Sequence, residues 1–166
     1  MGLTQEQLHK VLHYDPDTGD FWWKEKKSGR HMTKPAGGKS GRYLQIQLWK
    51  GAQFYAHRLA WLYVYGTWPP ECIDHSNGDG LDNRVANLRL ASKKQNARNA
   101  KKGKNNTSGY KGICFDKGKQ KWMAKTCKDY KQIFIGYFDC PKQAHEAYVN
   151  KIKELHGEFA NGGAGE

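Results

Sequence analysis

Four polar residues between positions 74 and 96 have the side chains that metal-assisted phosphodiester hydrolysis requires. They are Asp74, His75, Asn87 and Asn96. A neutral histidine, with an ordinary pKa of about 6.5, can take a proton from water near neutral pH. Carboxylate and amide oxygens are hard ligands that suit Mg²⁺ or Mn²⁺ better than Zn²⁺. Taken in isolation, these residues fit a hydrolytic site and a merely polar turn equally well.

The chain around these residues predicts a β-hairpin followed by a helix. Two short strands, Cys72–His75 and Asn87–Leu90, flank a Gly-rich loop. Ser92 and Gln95 have the spacing of a capping box, which predicts a helix directly after the second strand. Neighbouring residues on a regular strand point to opposite faces, so the adjacent Asp and His serve one site only if the strand breaks there. The glycines of the loop favour such a break.

The four residues belong to a longer motif. It reads Ile73-Asp74-His75-x-Asn77-Gly78-Asp79-x-Leu81-Asp82-Asn83-Arg84-x-x-Asn87-Leu88-Arg89, then Gln95-Asn96 and Asn99, with Ala56-His57-Arg58-Leu59-Ala60-Trp61 before it. Over about residues 1–100, the chain resembles the phage-type HNH homing endonucleases. The resemblance implies His75 as general base, Asn87 as the residue that orients it, and Asp74 and Asn96 as ligands of one Mg²⁺ or Mn²⁺ ion. The HNH motif is named for a histidine at its last position, whereas this sequence has asparagine, Asn96, at that position.

Other elements are predicted before this motif. A capping box at Thr4–Gln7 opens a short helix that reaches Leu12. Phe21–Trp23 and the alternating segment Tyr43–Trp49 predict strands. The apolar segment His57–Tyr65 predicts a helix, which the following glycine and two prolines end.

The C-terminal part predicts three strands and one helix. The strands are Tyr110–Phe115, Lys121–Cys127 and Gln132–Tyr137, and the helix runs from Pro141 to about His156. So small a unit leaves room for little core, which we expect Trp122, Phe134 and Tyr148 to fill. These segments, with Asn106-Thr107-Ser108-Gly109-Tyr110-Lys111-Gly112-Ile113, Ile135-Gly136-Tyr137-Phe138 and Leu155-His156-Gly157-Glu158, resemble the Apetala/ethylene-response-factor DNA-binding domain. That resemblance implies a three-stranded sheet in the major groove with the helix packed behind it.

The charge of the chain points to a polyanionic partner. The formal net charge is +12, and residues 90–131 contribute +11 of it, with thirteen Lys or Arg against two acidic residues. The predicted DNA contacts are Arg58, Lys93, Lys94, Arg98, Lys101, Lys102, Lys104, Lys111, Lys121, Trp122 and Lys125. Lysine more often contacts phosphate than base edges, so these contacts predict affinity for the DNA backbone rather than sequence specificity. A structural role is the alternative for Arg58, and a core position is the alternative for Trp122.

The cysteines and the hydropathy pattern exclude several classes of protein. Four cysteines lie far apart without a C-x-x-C pair, so we expect reduced thiols and no structural zinc. No apolar run approaches the ~18 residues of a membrane span, and the N-terminus lacks the apolar segment of a secretory signal. We therefore expect a cytoplasmic protein without a membrane partner, and the resemblance implies that it is phage-encoded and acts in a bacterial host.

Together these observations predict an α+β protein with two small domains. We expect an HNH nuclease domain of the ββα-metal type at residues 1–100, a basic linker at 101–109, the three-stranded domain at 110–160 and a disordered tail at 161–166. The expected function is that of a homing-type endonuclease, a monomer or homodimer that nicks or cuts double-stranded DNA. The alternative is a non-catalytic DNA-binding regulator derived from an HNH nuclease.

Overall fold

The structure is a computed structural model that describes residues 2–28, 30–99, 106–129 and 131–163. It mixes helices with several small antiparallel sheets, which confirms the α+β prediction at this level. The chain divides into two units, residues 1–93 and 94–166. Of the helices in the described ranges, none is long and apolar enough to cross a membrane.

The first unit is built from two-stranded and three-stranded antiparallel sheets around two helices. Its helices are α1 (Gln5–Val11) and α2 (Ala56–Tyr65). Its sheets pair β1 (Leu12–Tyr14) with β2 (Phe21–Trp23), β4 (Tyr43–Trp49) with β3 (Gly38–Ser40) and β5 (Ala52–Tyr55), and β6 (Cys72–His75) with β7 (Leu88–Ala91). A 3₁₀ turn, Val85–Asn87, precedes β7, and helix α3 (Lys93–Arg98) begins at the boundary between the units.

Local sequence signals explain where the helices of the first unit begin and end. The predicted capping box of α1 is present: the Gln7 amide donates to the Thr4 hydroxyl at 3.2 Å, and the Thr4 amide donates to the Gln7 side chain at 3.1 Å. The helix stops one residue earlier than expected because Leu12 adopts an extended conformation and joins β1. Helix α2 ends at Gly66, whose φ of 74° is the left-handed conformation that glycine adopts without strain.

One apolar core holds the first unit together. Strand β4 alternates as predicted, with Ile46 and Leu48 buried and Gln47 and Trp49 exposed. Helix α2 buries the face that carries Leu59 and Leu62 against the same core. Its largest fully buried apolar side chains are Leu8, Leu12, Phe21, Ile46, Leu59 and Leu62.

The second unit contains the predicted three strands and helix. Strands β8 (Ile113–Asp116), β9 (Lys121–Lys128) and β10 (Lys131–Phe138) form one antiparallel sheet in the order β10-β9-β8. Helix α4 (Pro141–His156) covers the sheet, and a 3₁₀ turn, Gly157–Phe159, follows it. The core consists of Ile113, Ala124, Ala144, Tyr148 and Ile152.

One predicted core residue lies on the surface instead. The Phe134 side chain is 56% exposed, whereas Tyr148 is buried and Trp122 packs partly buried against the core. The register of β10 against β9 shifts between Phe134 and Gly136, and a shift of one residue changes which side chains face inward. Ile135 therefore packs against the core in place of Phe134, whose ring contacts Tyr137.

Candidate active site

His75 lies at the end of β6 among aromatic rings. It is 5% exposed, and its backbone pairs with Leu88 across the hairpin. Its ring centroid is 5.1 Å from that of His57 and 5.8 Å from that of Tyr43. Its Nε2 atom is 3.5 Å from the side-chain oxygen of Asn83. The strand ends at His75 itself, so the loop that begins at the next residue borders the imidazole.

Burial sets the protonation state of His75. It lowers the pKa of the imidazole, although the Asn83 oxygen and the carboxylates of Asp74, Asp82 and Asp79 act in the opposite direction. The ring is therefore neutral near neutral pH, which is the form that can accept a proton from water.

A second histidine is packed against the first. His57, on the first turn of α2, is 8% exposed, and burial together with the nearby His75 lowers its pKa to about 3. Its ring stacks on Tyr55 with centroids 5.4 Å apart and lies 5.2 Å from Tyr43. Among the described residues, none hydrogen-bonds its Nδ1 atom. His57 thus stays uncharged beside His75 throughout the neutral and mildly acidic range.

Asn87, the predicted orienter of His75, holds the loop that follows β6. Its side-chain oxygen accepts from the backbone amide of Asn77 at 3.1 Å. Its two amide hydrogens go to the side-chain oxygen of Asn77, at 3.1 Å, and to the backbone oxygen of Asp82, at 2.9 Å. The backbone oxygen of Asn87 also accepts from Ser76 at 2.9 Å. Asn87 therefore organises the segment that carries Asn83 next to His75.

Asp82 and Arg84 stabilise the far end of the same loop. The Arg84 guanidinium donates to both oxygens of Asp82, at 2.8 and 2.6 Å, and Asn77 donates to one of them at 2.8 Å. The hydrogen bonds from Arg84 come first among the causes that lower the pKa of Asp82 to about 2. The carboxylate stays ionised at any pH at which His75 can act as a base.

The loop is also tied to the N-terminal strands. The buried Tyr14 hydroxyl on β1 donates to the backbone oxygen of Asn83 at 2.8 Å. The turn before β2 packs closely at Gly19, where a Cβ atom would lie 2.5 Å from the Arg84 nitrogen and 2.7 Å from the Asn83 carbonyl carbon. Because Gly19 also has a φ of 79°, only glycine fits there without displacing the backbone beside His75.

Asp74 forms a buried ion pair with its cross-strand neighbour. Its Oδ2 atom accepts from Arg89 Nη2 at 2.8 Å and from Arg89 Nε at 2.9 Å. The Asp74 side chain is only 3% exposed and that of Arg89 is 19% exposed. This arrangement compensates the buried carboxylate, and it occupies one of the two oxygens that the sequence prediction reserves for a metal ion.

The donor set suits a hard cation that takes few protein ligands. Among the described residues, no group of three or more His, Cys, Asp and Glu could hold a metal. Mg²⁺ commonly binds through one or two carboxylates with waters and substrate phosphates, so Asp74 and an amide oxygen fit such an ion. Asn96, the other predicted ligand, belongs to the second unit, and its pairing with Asp74 stays a prediction.

The predicted DNA contacts differ in their surroundings. Arg58 donates to the backbone oxygens of Glu71 and Pro69, at 3.1 and 3.4 Å, so it supports the segment before β6. Lys111 donates to the Asn161 backbone oxygen at 3.0 Å, and Lys121 pairs with Asp139 at 3.2 Å.

Three more of these residues can be placed. Lys93 and Lys94 are exposed, and Lys125 is half-buried. The side chain of Arg98 and residues Lys101, Lys102 and Lys104 lie outside the described residues. The DNA contacts of the whole set stay predictions.

Sequence reasoning assigned no role to three residues near the two histidines: Asn83 and Tyr43 approach His75, and Tyr55 stacks on His57. Asn83 lies inside the motif, and only the folded loop shows that it approaches the ring. Tyr43 and Tyr55 come from β4 and β5, where their alternation with apolar residues marks them as outward-facing. The sequence did contain a signal for the histidine beside His75, because His57 stands next to Arg58 in the predicted helix before the motif.

The predicted catalytic and metal-binding residues of the candidate site lie within a match to a known protein family. The sequence model of the HNH endonuclease family matches residues 54–98, from β5 through α3. The chain is also 38% identical over 88 residues to Protein 3.8 of Escherichia phage T7, a match that covers 53% of this chain and 72% of that protein. The chain therefore belongs to the same family as Protein 3.8, and it carries an HNH endonuclease domain. No solved structure matches the chain.

Proposed function

We propose that the protein is a metal-dependent endonuclease of the homing type that hydrolyses phosphodiester bonds in double-stranded DNA. The observation that carries this proposal is the buried imidazole of His75, neutral and fixed at the end of β6, within the residues that match the HNH family. Neutral imidazole with its ring packed on three sides is suited to general-base catalysis because it loses little freedom when water approaches.

The proposed reaction uses His75 to activate water. The imidazole takes a proton from a water molecule, whose oxygen bonds to phosphorus while the bond from phosphorus to the 3′-oxygen breaks. The products are a 5′-phosphate and a 3′-hydroxyl, which takes its proton from solvent. Asn83 holds the ring from one side, and Asn87 acts through the loop. Asn87 is therefore a positioning residue for the general base, His75.

The predicted metal ligands are kept in the proposal. Asp74 and Asn96 would offer the oxygen donors, and a Mg²⁺ or Mn²⁺ ion held by them would supply positive charge to the phosphate oxygens. The Asp74 carboxylate would then be shared between the ion and the Arg89 side chain, which donates to Oδ2. One ion and one His75 per chain imply that a monomer nicks DNA, and that double-strand cleavage takes a dimer or two successive events.

The domain division and the role of the second unit are also proposed. Residues 1–100 form the nuclease domain with the ββα-metal arrangement, 101–109 the basic linker, 110–160 the DNA-binding domain of Apetala/ethylene-response-factor type, and 161–166 the tail. The antiparallel sheet of three strands with one helix across it supports this assignment of the second unit. Lys111, Lys121 and Lys125 of this unit are proposed to contact DNA phosphates.

The test is nicking of supercoiled plasmid in Mg²⁺ or Mn²⁺. The wild-type protein is compared with His75→Ala and with His13→Ala, which removes an exposed histidine of β1. We expect His75→Ala to lower the nicking rate about 10²- to 10⁴-fold, the usual contribution of a general base, and His13→Ala to leave it unchanged. Circular dichroism checks that each variant is folded. If wild type nicks the plasmid in neither Mg²⁺ nor Mn²⁺, the proposal is refuted. It is also refuted if the two variants nick at the same rate.

One observation favours the second candidate, a DNA-binding protein without catalysis. The Asp74–Arg89 ion pair neutralises the carboxylate that the metal would need. In that case the protein binds duplex DNA in EDTA and in Mg²⁺, and it nicks the DNA in neither. Binding and nicking measured on one plasmid therefore separate the two candidates.

A further inference from the structure

A basic groove lies in the first unit, outside the HNH-matched residues. It has a volume of about 990 Å³ and is bordered by the segment between β2 and β3 and by one face of the β3-β4-β5 sheet. Five Lys or Arg side chains line it, and none of the described residues that form its lining is Asp or Glu. The cations are Lys27, Arg30, Lys34, Lys39 and Lys50. We call this feature the basic groove.

The floor of the basic groove is an amide-rich sheet face. Gln45 and Gln47 alternate on β4 with the buried Ile46 and Leu48, and Gln53 is the cross-strand partner of Gln47 on β5. All three glutamines line the groove. A glutamine side chain presents one donor and one acceptor side by side, which matches the N6 and N7 atoms of adenine in the DNA major groove.

The wall of the basic groove is fixed to the sheet by Arg30. Its guanidinium carbon lies 4.1 Å from the centroid of the Trp23 ring, and its Nη2 atom donates to the Leu48 backbone oxygen at 3.2 Å. These contacts join the segment after β2 to the edge of β4, so the cations stand beside the glutamines in the folded protein.

We propose that the basic groove binds the major groove of duplex DNA, with Gln45, Gln47 and Gln53 on base edges and with Lys34 and Lys50 on phosphates. The inference rests on the proposed function, because it adds a recognition surface for the same substrate. Strand axes in a sheet lie about 5 Å apart, so the β4–β5 ribbon fits a major groove about 12 Å wide. Lys27 forms an ion pair with Glu25 at 3.2 Å, and the five cations together still leave the rim with a net positive charge that complements the phosphate rows on both sides.

The lysines are tested by the salt dependence of binding to duplex DNA in EDTA, where no cleavage occurs. Each phosphate contact contributes about 0.9 to the slope of log K against log salt concentration. The double variant Lys34→Ala/Lys50→Ala is expected to reduce that slope by about two. The control variant Lys10→Ala/Lys153→Ala removes two exposed lysines that do not line the basic groove, and it should leave the slope unchanged. Equal slopes for wild type and the groove variant overturn the proposal.

The glutamines are tested by selection from a pool of duplexes with a randomised core. The wild-type protein should enrich A·T pairs at two or three positions, and Gln45→Ala/Gln47→Ala should lose about 5- to 150-fold of that preference at the corresponding positions with little change in salt slope. Gln47 is exposed and Gln45 is half-buried, with neither in the apolar core, so we expect the variant to keep the wild-type urea transition. Unchanged base preference in the folded variant, or equal binding of duplex RNA, whose deep and narrow major groove excludes side chains, overturns the inference.

These outcomes are distinct from failure of the proposed function. If wild type nicks plasmid and the groove variants bind as wild type does, only the inference fails. If wild type binds DNA with the predicted lysine and glutamine dependence and nicks nothing, only the nuclease proposal fails. Wild-type protein that binds no duplex DNA in EDTA refutes the inference directly.

Discussion

Removing His57 should remove a large part of the pH dependence of stability. The imidazole is 8% exposed, and its pKa falls from 6.5 in the unfolded chain to about 3 in the folded protein. Between these values the unfolded chain binds a proton that the native protein does not bind. Protonation therefore favours unfolding, and the stabilising effect of neutral His57 is complete above pH 6.5 and is lost as the pH falls toward 3.

The size of the effect follows from linkage between protonation and unfolding. At pH 5 an unfolded histidine is about 97% protonated while folded His57 is almost entirely neutral, which costs the native state about 2 kcal/mol. At pH 7 the same linkage costs only about 0.2 kcal/mol. Wild type should therefore lose about 2 kcal/mol more unfolding free energy between these two pH values than a variant without the imidazole.

The variant is His57→Phe, and the measurement is urea unfolding at pH 7 and pH 5. Phenylalanine keeps an aromatic ring against Tyr43 and Tyr55, so any change in packing affects both pH values alike. Its effect cancels when the loss on acidification is compared between the two proteins. If wild type and variant lose the same free energy between the two pH values, His57 is not buried in its neutral form and the reasoning is refuted.

Two further substitutions test how the loop and the hairpin are held. Gly19→Ala should destabilise the protein by more than Gly51→Ala. Both glycines have a positive φ, which costs about 1–2 kcal/mol for alanine. Of the two, only Gly19 also packs against the backbone of Asn83 and Arg84. Equal losses in urea unfolding contradict that packing. Arg89→Met should lower the unfolding free energy by about 3–5 kcal/mol, since it removes a buried carboxylate's cationic partner. A loss below about 1 kcal/mol, as for an exposed ion pair, contradicts the burial of Asp74.

Segments with strong local signals could be predicted from the sequence. Thr4 and Gln7 complete a capping box whichever tertiary contacts follow. Gly66 ends α2, and Pro141 opens α4 at the position where a helix tolerates proline. Strand β4 could be recognised because its apolar and polar residues alternate over seven residues. In each of these cases neighbouring residues decide the local structure.

Elements that depend on distant partners could not be predicted. Strand β3, Gly38–Ser40, has no buried residue and exists only because β4 pairs with it. The position of Phe134 depends on the register shift against β9, which exchanges the inward-facing residue for Ile135. Propensity and alternation carry no information about pairing of this kind.

The candidate site divides in the same way. The residue types and spacing of Asp74, His75 and Asn87 are enough to predict a chemistry, because the proposed hydrolysis needs those functional groups. The approach of Asn83 to the imidazole requires the folded loop, and the ion pair of Asp74 requires the register that brings Arg89 opposite it. The functional groups are properties of single side chains. The Asn83 contact and the Asp74 ion pair are properties of the tertiary structure.

The hydrogen bonds of Asn87 limit what substitution can do at that position. The side chain uses one acceptor and two donors at once, and aspartate, of nearly the same shape, offers no donor when it is ionised. If the proposed hydrolysis were lost in a descendant of this protein, selection would still keep an amide there, because the loop would otherwise lose its shape. Persistence of Asn87 in such a lineage would reflect the requirements of folding, while drift at His75 would record the loss of the proposed catalysis.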